Sequence, residues 1–303
     1  MLFRSVDSRP IVKALLEQGP AAGPASDFDL DLKVANALGA NKVTLGQVDI
    51  GLSRRGGEIS QARADARVGA AAMTLRRSDA GVIRVQTTDA GALVRFFNLY
   101  QHLEGGTLDL VMRNAGQRQD GVAVISNFVV RNEPALKQLV AAGEAPPPGE
   151  SGQFGATNPP AEKIDPDAVQ FQKMTAQFAR NNGRIELRDA AVYDAAMGLT
   201  TQGYIDYAHD HIDLNGTFVP VFGVNNLVTH IPFVGLLLGG GTNEGMFAVN
   251  YRIAGSPSAP QLTVNPFSAM TPGILRKIFG AIDGTTPFPD GEVQPGGPVS
   301  SFR

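Results

Sequence analysis

No cysteine occurs anywhere in the 303 residues. Disulfides, thiolate nucleophiles, iron–sulfur clusters and cysteine-based zinc sites are excluded together, and the redox compartment stays open. An excess of one charge is also lacking: 26 Lys and Arg stand against 29 Asp and Glu, a net of −3. No global basic field exists to collect phosphates, which argues against a dedicated nucleic-acid binder. Long apolar runs are missing as well. The opening MLFRSVDSRPIVKALLEQG has no apolar core of the signal-peptide kind. The most apolar stretch, residues 231–241, falls short of the roughly 20 residues a bilayer span needs, and Pro232 and glycines interrupt it. Tryptophan is absent, and only four histidines are present.

What remains is the composition of a folded β protein. Hydrophobic residues make up 43%, enough for one large core or two smaller ones. Gly (35) and Pro (20) are abundant, as many short strands joined by tight turns require. The alternation is legible from residue 27 onward. Phe28, Leu30 and Leu32 point one way, and Asp27, Asp29 and Asp31 the other, which is the pattern of a half-buried strand. Further strands are predicted at 43–52, 58–68, 72–75, 82–87, 107–113 and 121–130. A short helix is predicted early, from Pro10 to Gly19, a second from Ala90 to about Leu103 with a cap at Thr88-Asp89, and a third from Pro134.

Residues 143–162, rich in Pro and Gly, read as a loop or linker separating a β-rich part at 1–142 from a second part at 163–283. Beyond it the period-2 signal is strongest. Strands at 174–179 and 184–188 flank Asn181-Asn182-Gly183, a good hairpin turn because Asn and Gly tolerate positive φ. A second hairpin, 199–207 with 211–218, turns at His209-Asp210. Residues 245–254 alternate again, and 261–264 form a last strand. An apolar helix at 226–238 and an amphipathic one from Pro272 interrupt the sheet, and 284–303 read as a disordered tail. The fold class is mainly β: a long, curved, open antiparallel sheet with a few short amphipathic helices. Alternation of strands and helices in βαβ units is not seen, which argues against doubly wound or barrel enzyme scaffolds.

Catalytic chemistry finds no foothold in these residues. His209 and His211 share a strand face, but they sit at a predicted hairpin turn, where solvated polar residues are expected, and no metal is assigned. His230 reads as a core or interface histidine. G-x-S-x-G, H-E-x-x-H and G-x-x-x-x-G-K-[ST] are all absent, and Gly239-Gly240-Gly241-Thr242 has no Lys after it to serve a phosphate. Asp206 and Asp213 alternate along strands with other polar groups, and nothing singles out an acid–base pair. The chain is expected to be no enzyme and to need no cofactor.

From Val169 onward the sequence resembles the C-terminal region of the AsmA-like family of bacterial envelope proteins, with its YhdP and TamB relatives. The pieces are VQFQKMTAQFARNNGRIEL, GLTTQGYIDYAHDHIDLNGTFVP and the run from Asn225 to Phe279. Within them stand Gly216-Thr217 with Pro220, Ile231-Pro232 with Gly235, Glu244-Gly245, and Val264-Asn265-Pro266 through Arg276. TTDAGALVRFFNLYQHLEGGTLDL, residues 87–110, extends the likeness upstream to about two-thirds of the chain.

The resemblance implies a Gram-negative envelope location in the periplasm, with tethering to the inner membrane through a segment outside this chain. It also implies a hydrophobic groove moving phospholipid between inner and outer membranes. Phospholipid acyl chains, a membrane surface and other envelope proteins are the partners expected, with nucleic acid excluded. Groove-wall positions are then Ile205, Ile212, Leu214, Phe218, Phe247, Val249, Tyr251 and Ile253; each is set against the plainer expectation that it faces a covering helix. Membrane or cap contacts fall on Phe233, Leu236, Leu237, Leu238, Ile274, Leu275, Ile278 and Phe279, where core docking is the competing expectation. Pro220, Pro232, Pro266 and Gly273 shape the backbone. The alternative function is a structural scaffold supporting outer-membrane protein biogenesis.

Overall fold

The computed structural model describes residues 2–18, 26–56, 58–115, 118–144, 164–194, 197–220 and 248–265. Strand β1 (Leu2–Asp7) leads into helix α1 (Arg9–Gln18). Then come β2 (Phe28–Leu38), β3 (Thr44–Arg55), β4 (Glu58–Val68), β5 (Ala71–Arg77) and β6 (Val82–Thr87). Helix α2 (Ala90–Phe96) precedes β7 (Leu103–Ala115) and β8 (Arg118–Arg131), and helix α3 (Pro134–Glu144) follows them. The remaining strands are β9 (Ala168–Asn181), β10 (Arg184–Tyr193), β11 (Met197–Asp206), β12 (His211–Pro220), β13 (Val249–Ser256) and β14 (Ala259–Asn265). They form one 14-stranded sheet in chain order that does not close on itself. Because β8 pairs with β9 from Arg131 to Gln119, the sheet runs unbroken past residues 143–162.

Two expectations need correction. The sheet is mixed: β1 runs parallel to β2, with Val6 beside Ala37, and α1 is the crossover between them. One β-α-β unit therefore occupies the N-terminal edge. Its strand is six residues without clean alternation, and its pairing comes from the free edge of β2, a partner that local pattern does not reveal. The second correction is the length of α2. It stops at Phe96 rather than near Leu103, because Leu103 to Gly105 pair with Val130 to Phe128 as the start of β7. Asp89 is its cap, accepting from the Ala92 N–H at 2.9 Å.

The sheet is strongly curved. Seven spacings of about 4.8 Å would hold β2 and β9 about 34 Å apart in a flat sheet. A ten-residue helix spans only about 15 Å. Yet α1 begins hydrogen-bonded to β2, where Ser8 N–H donates to the Leu38 carbonyl, and ends with the Glu17 carbonyl against Gly183 in the β9–β10 turn. It bridges the two walls of a trough.

The two ends of the trough differ. At one lie α2, α3, the start of α1 and a 3-10 turn at Ala40–Lys42; at the other, the β3–β4, β5–β6, β9–β10, β11–β12 and β13–β14 turns. The helices face the concave side. Val12 of α1, Leu93 and Phe96 of α2, and Leu136, Leu139 and Val140 of α3 join strand residues in one core cluster. α3 touches β12, β13 and β14 on the far wall.

The convex side is built otherwise. Arg55–Asp29, Arg63–Asp49, Arg76–Asp65 and Arg252–Asp213 pair across neighbouring strands. Such exposed pairs add little stability each, about 0–1 kcal/mol. They do keep that face wetted.

Candidate functional site

Cross-strand register aligns the concave face into rows. Ile185, Ile205 and Ile212 form one; Leu187, Gly203, Leu214, Ile253 and Leu262 the next. Then come Gly216, Tyr251 and Val264, and after them Val192, Leu199, Phe218 and Val249. Seven of the eight expected groove positions thus share one face: Ile205, Ile212, Leu214, Phe218, Val249, Tyr251 and Ile253. Phe247 lies outside the described residues, as do Phe233, Leu236, Leu237, Leu238, Ile274, Leu275, Ile278 and Phe279, together with Pro232, Pro266 and Gly273.

Burial along this face changes with position. Toward the helix end, Phe218 is 0% exposed and Val249 3%, in the cluster that includes the α3 leucines. Tyr251 is also buried there, and its hydroxyl donates to the Thr200 carbonyl at 2.9 Å. Burial pushes this phenol up to about 12. These three residues wall a section filled by protein. The opposite wall behaves alike: Val34, Val48, Met73, Val85 and Leu108 are buried near the helices. Toward the turn end, the next inward residues along the same strands, Leu32, Ile50, Leu75, Ile83 and Leu110, are only half-buried. On the far wall Ile185, Ile205 and Ile253 are half-buried, while Ile212 and Leu214, which lie between Ile205 and Ile253, are buried. The trough is packed shut at one end and partly open at the other.

Charge on this face follows a simple rule. Across β2 to β14 no strand Asp or Glu falls on the concave side in the register; the strand carboxylates lie with the convex pairs. Three arginines do fall there, Arg54 beside Phe28, Arg77 beside Ile83 and Arg180 beside Ile185, all at the turn end. Arg77 Nη1 donates to the carbonyls of Ser60 (2.8 Å) and Ser78 (3.2 Å). Arg180 differs: its Nε and Nη2 are buried without a hydrogen-bond partner. Burial lowers its pKa from the ordinary guanidinium value. Nearby Tyr207 is pushed up to about 12, chiefly by burial, with Arg180 opposing. No sequence motif marks these arginines. Arg180 occupies the apolar phase of its strand, in step with Met174, Ala176 and Phe178, and that misplaced charge was the available signal.

Elsewhere little chemistry converges. His209 Nδ1 is 2.9 Å from Asp206 Oδ1 at the β11–β12 turn. Among the described residues no group of three or more His, Asp or Glu is placed to hold a metal, and no helix is long and apolar enough to cross a membrane. A cleft of about 450 Å³ beside α2 is lined by Val68, Ala71, Thr88 and Asp89, but the Asp89 carboxylate is engaged as the helix cap.

No protein-family model, curated protein or solved structure matches the chain.

Proposed function

We propose that the chain is a non-enzymatic lipid-handling region whose concave trough holds acyl chains, in the manner of the AsmA-like envelope proteins its sequence resembles. The observation that carries this reading is the half-buried apolar band at the turn end, including Ile83, Ile185, Ile205 and Ile253 on facing walls. An apolar face left part-covered gains about 0.8 kcal/mol for each CH₂ of a hydrocarbon chain it removes from water. Such binding has no directionality, needs no reacting group, and lets a chain slide along rows of similar side chains. The paired charges of the convex face keep water on the other side. On this reading the protein works in a Gram-negative periplasm, passing phospholipid between membranes.

The test is native mass spectrometry after gentle purification. Phospholipid is expected to accompany the wild-type chain and to be lost from Ile83→Asp and Ile205→Asp, whose circular dichroism stays that of a β protein. A lipid-free wild type favours the alternative, a scaffold for outer-membrane protein assembly, for which the filled section around Phe218 speaks.

A further inference from the structure

Resting on the trough reading above, we infer that its turn end is an anion site centred on Arg180, which takes the phosphate head of an amphiphile whose tail lies along the apolar rows.

Three observations support this. First, the concave face carries cations at one end only. Arg54, Arg77 and Arg180 are the strand arginines in its register, all three lie at the turn end, and no strand carboxylate shares the face. On the convex side arginines are matched to aspartates at 2.6–2.9 Å, as in Arg76–Asp65 and Arg63–Asp49. Inward, Arg180 has no strand carboxylate on its face. Second, Arg180 Nε and Nη2 are removed from solvent and donate to nothing. Two guanidinium nitrogens covered without partners are costly, and an oxyanion that reaches them satisfies them with short, charge-assisted hydrogen bonds. Third, the surroundings suit an amphiphile better than a free ion. By register Gln119 and Ile185 flank Arg180, Phe178 is two residues along the same face, and the half-buried apolar rows begin beside it. The carboxyl end of α1 abuts the adjoining turn at Gly183. Its partial negative charge eases the burial of Arg180 but supplies no acceptor to Nε or Nη2.

The ligand is thereby oriented: head at the β9–β10 turn, tail toward α3. Arg77, whose guanidinium is bonded to carbonyls only, contributes to the positive potential at the mouth.

Calorimetric titration of the full chain with dodecyl phosphate, dodecanol and inorganic phosphate tests the assignment. Dodecyl phosphate is expected to bind about tenfold more tightly than dodecanol, a margin typical of one charge-assisted pair. In Arg180→Met that margin should vanish while dodecanol binds as before, and Arg180→Lys should retain part of it. Equal binding of dodecyl phosphate and dodecanol to the wild type overturns the anion site and leaves the trough intact. Failure of both to bind removes the trough reading as well. Inorganic phosphate binding as tightly as dodecyl phosphate shows a free-ion site and overturns the head-group assignment. Melting supplies a control: Arg180→Met should melt no lower than the wild type, because it deletes a buried, unsatisfied charge, and a large drop would show Arg180 to be structural.

Discussion

Tyr251 on β13 reaches over Gly216 on β12 to place its hydroxyl 2.9 Å from the carbonyl oxygen of Thr200 on β11. One side chain thereby spans three strands. It can do so only because the strand beneath it carries no Cβ: one added at Gly216 would lie 1.9 Å from the Thr200 oxygen and 2.6 Å from the tyrosine hydroxyl. Gly216→Ala is therefore expected to destabilise the fold by about 1–3 kcal/mol through overpacking. Tyr251→Phe alone should cost about 1 kcal/mol for the hydrogen bond. Combining them should give little relief, since the backbone oxygen is the nearer obstacle. Urea unfolding of the three variants measures this.

Alkaline pH tests the same burial. Tyr251 and Tyr207 are both raised from 10.0 to about 12, in each case mainly because burial disfavours the phenolate. The folded chain thus keeps protons that the unfolded chain gives up. Their stabilising contribution is complete below pH 10, shrinks as pH climbs past the unfolded value, and is lost by about pH 12. Unfolding free energy should fall across that window, and Tyr251→Phe should make the fall shallower.

Gly183 holds α1 in place. Its φ of +77° follows the Asn182 φ of +45°, the paired positive values a two-residue hairpin turn demands. A Cβ there would also come within 2.2 Å of the Glu17 carbonyl oxygen. Gly183→Ala should release the carboxyl end of α1. Amides of residues 12–17 are expected to exchange hydrogen faster, while those of β7 and β8 keep their protection.

Among the described residues, Arg84–Asp109 is the most enclosed ion pair of the convex face, with side chains 4% and 16% exposed. It sits with Val82, Val111 and Val122, a small buried cluster on that side. Asp109→Ala removes the carboxylate that faces a buried guanidinium and should cost about 3–5 kcal/mol, whereas Arg84→Met with Asp109→Leu should recover most of it. Denaturant midpoints of the single and double variants decide the matter. A small loss in the single variant would show the pair to be hydrated and its burial unimportant.

Strand phase was legible wherever polar and apolar residues alternate. Asp27 to Leu32 announced β2, and Ile212 to Phe218 announced β12, because a pleated strand with one wet face repeats every two residues. The turn at Asn182-Gly183 was legible for a different reason, the tolerance of these residues for positive φ. β1 was not, since its six residues acquire strand geometry only by pairing with β2. Nor was the end of α2: Leu99 and Tyr100 continue a helical spacing, but Leu103 is claimed by Val130 of β8.

By itself the sequence determined that this chain builds strands, where most of them turn, and which side chains share a face. Those properties follow from backbone period and local steric preference, which act over a few residues. Only the tertiary structure decided how far each apolar face is covered, that Phe218 disappears beneath α3 while Ile205 stays half-open, and that Arg54, Arg77 and Arg180 gather at one end. Coverage depends on the curvature of fourteen strands and on helices returning from distant points of the chain, and no local window of sequence contains either.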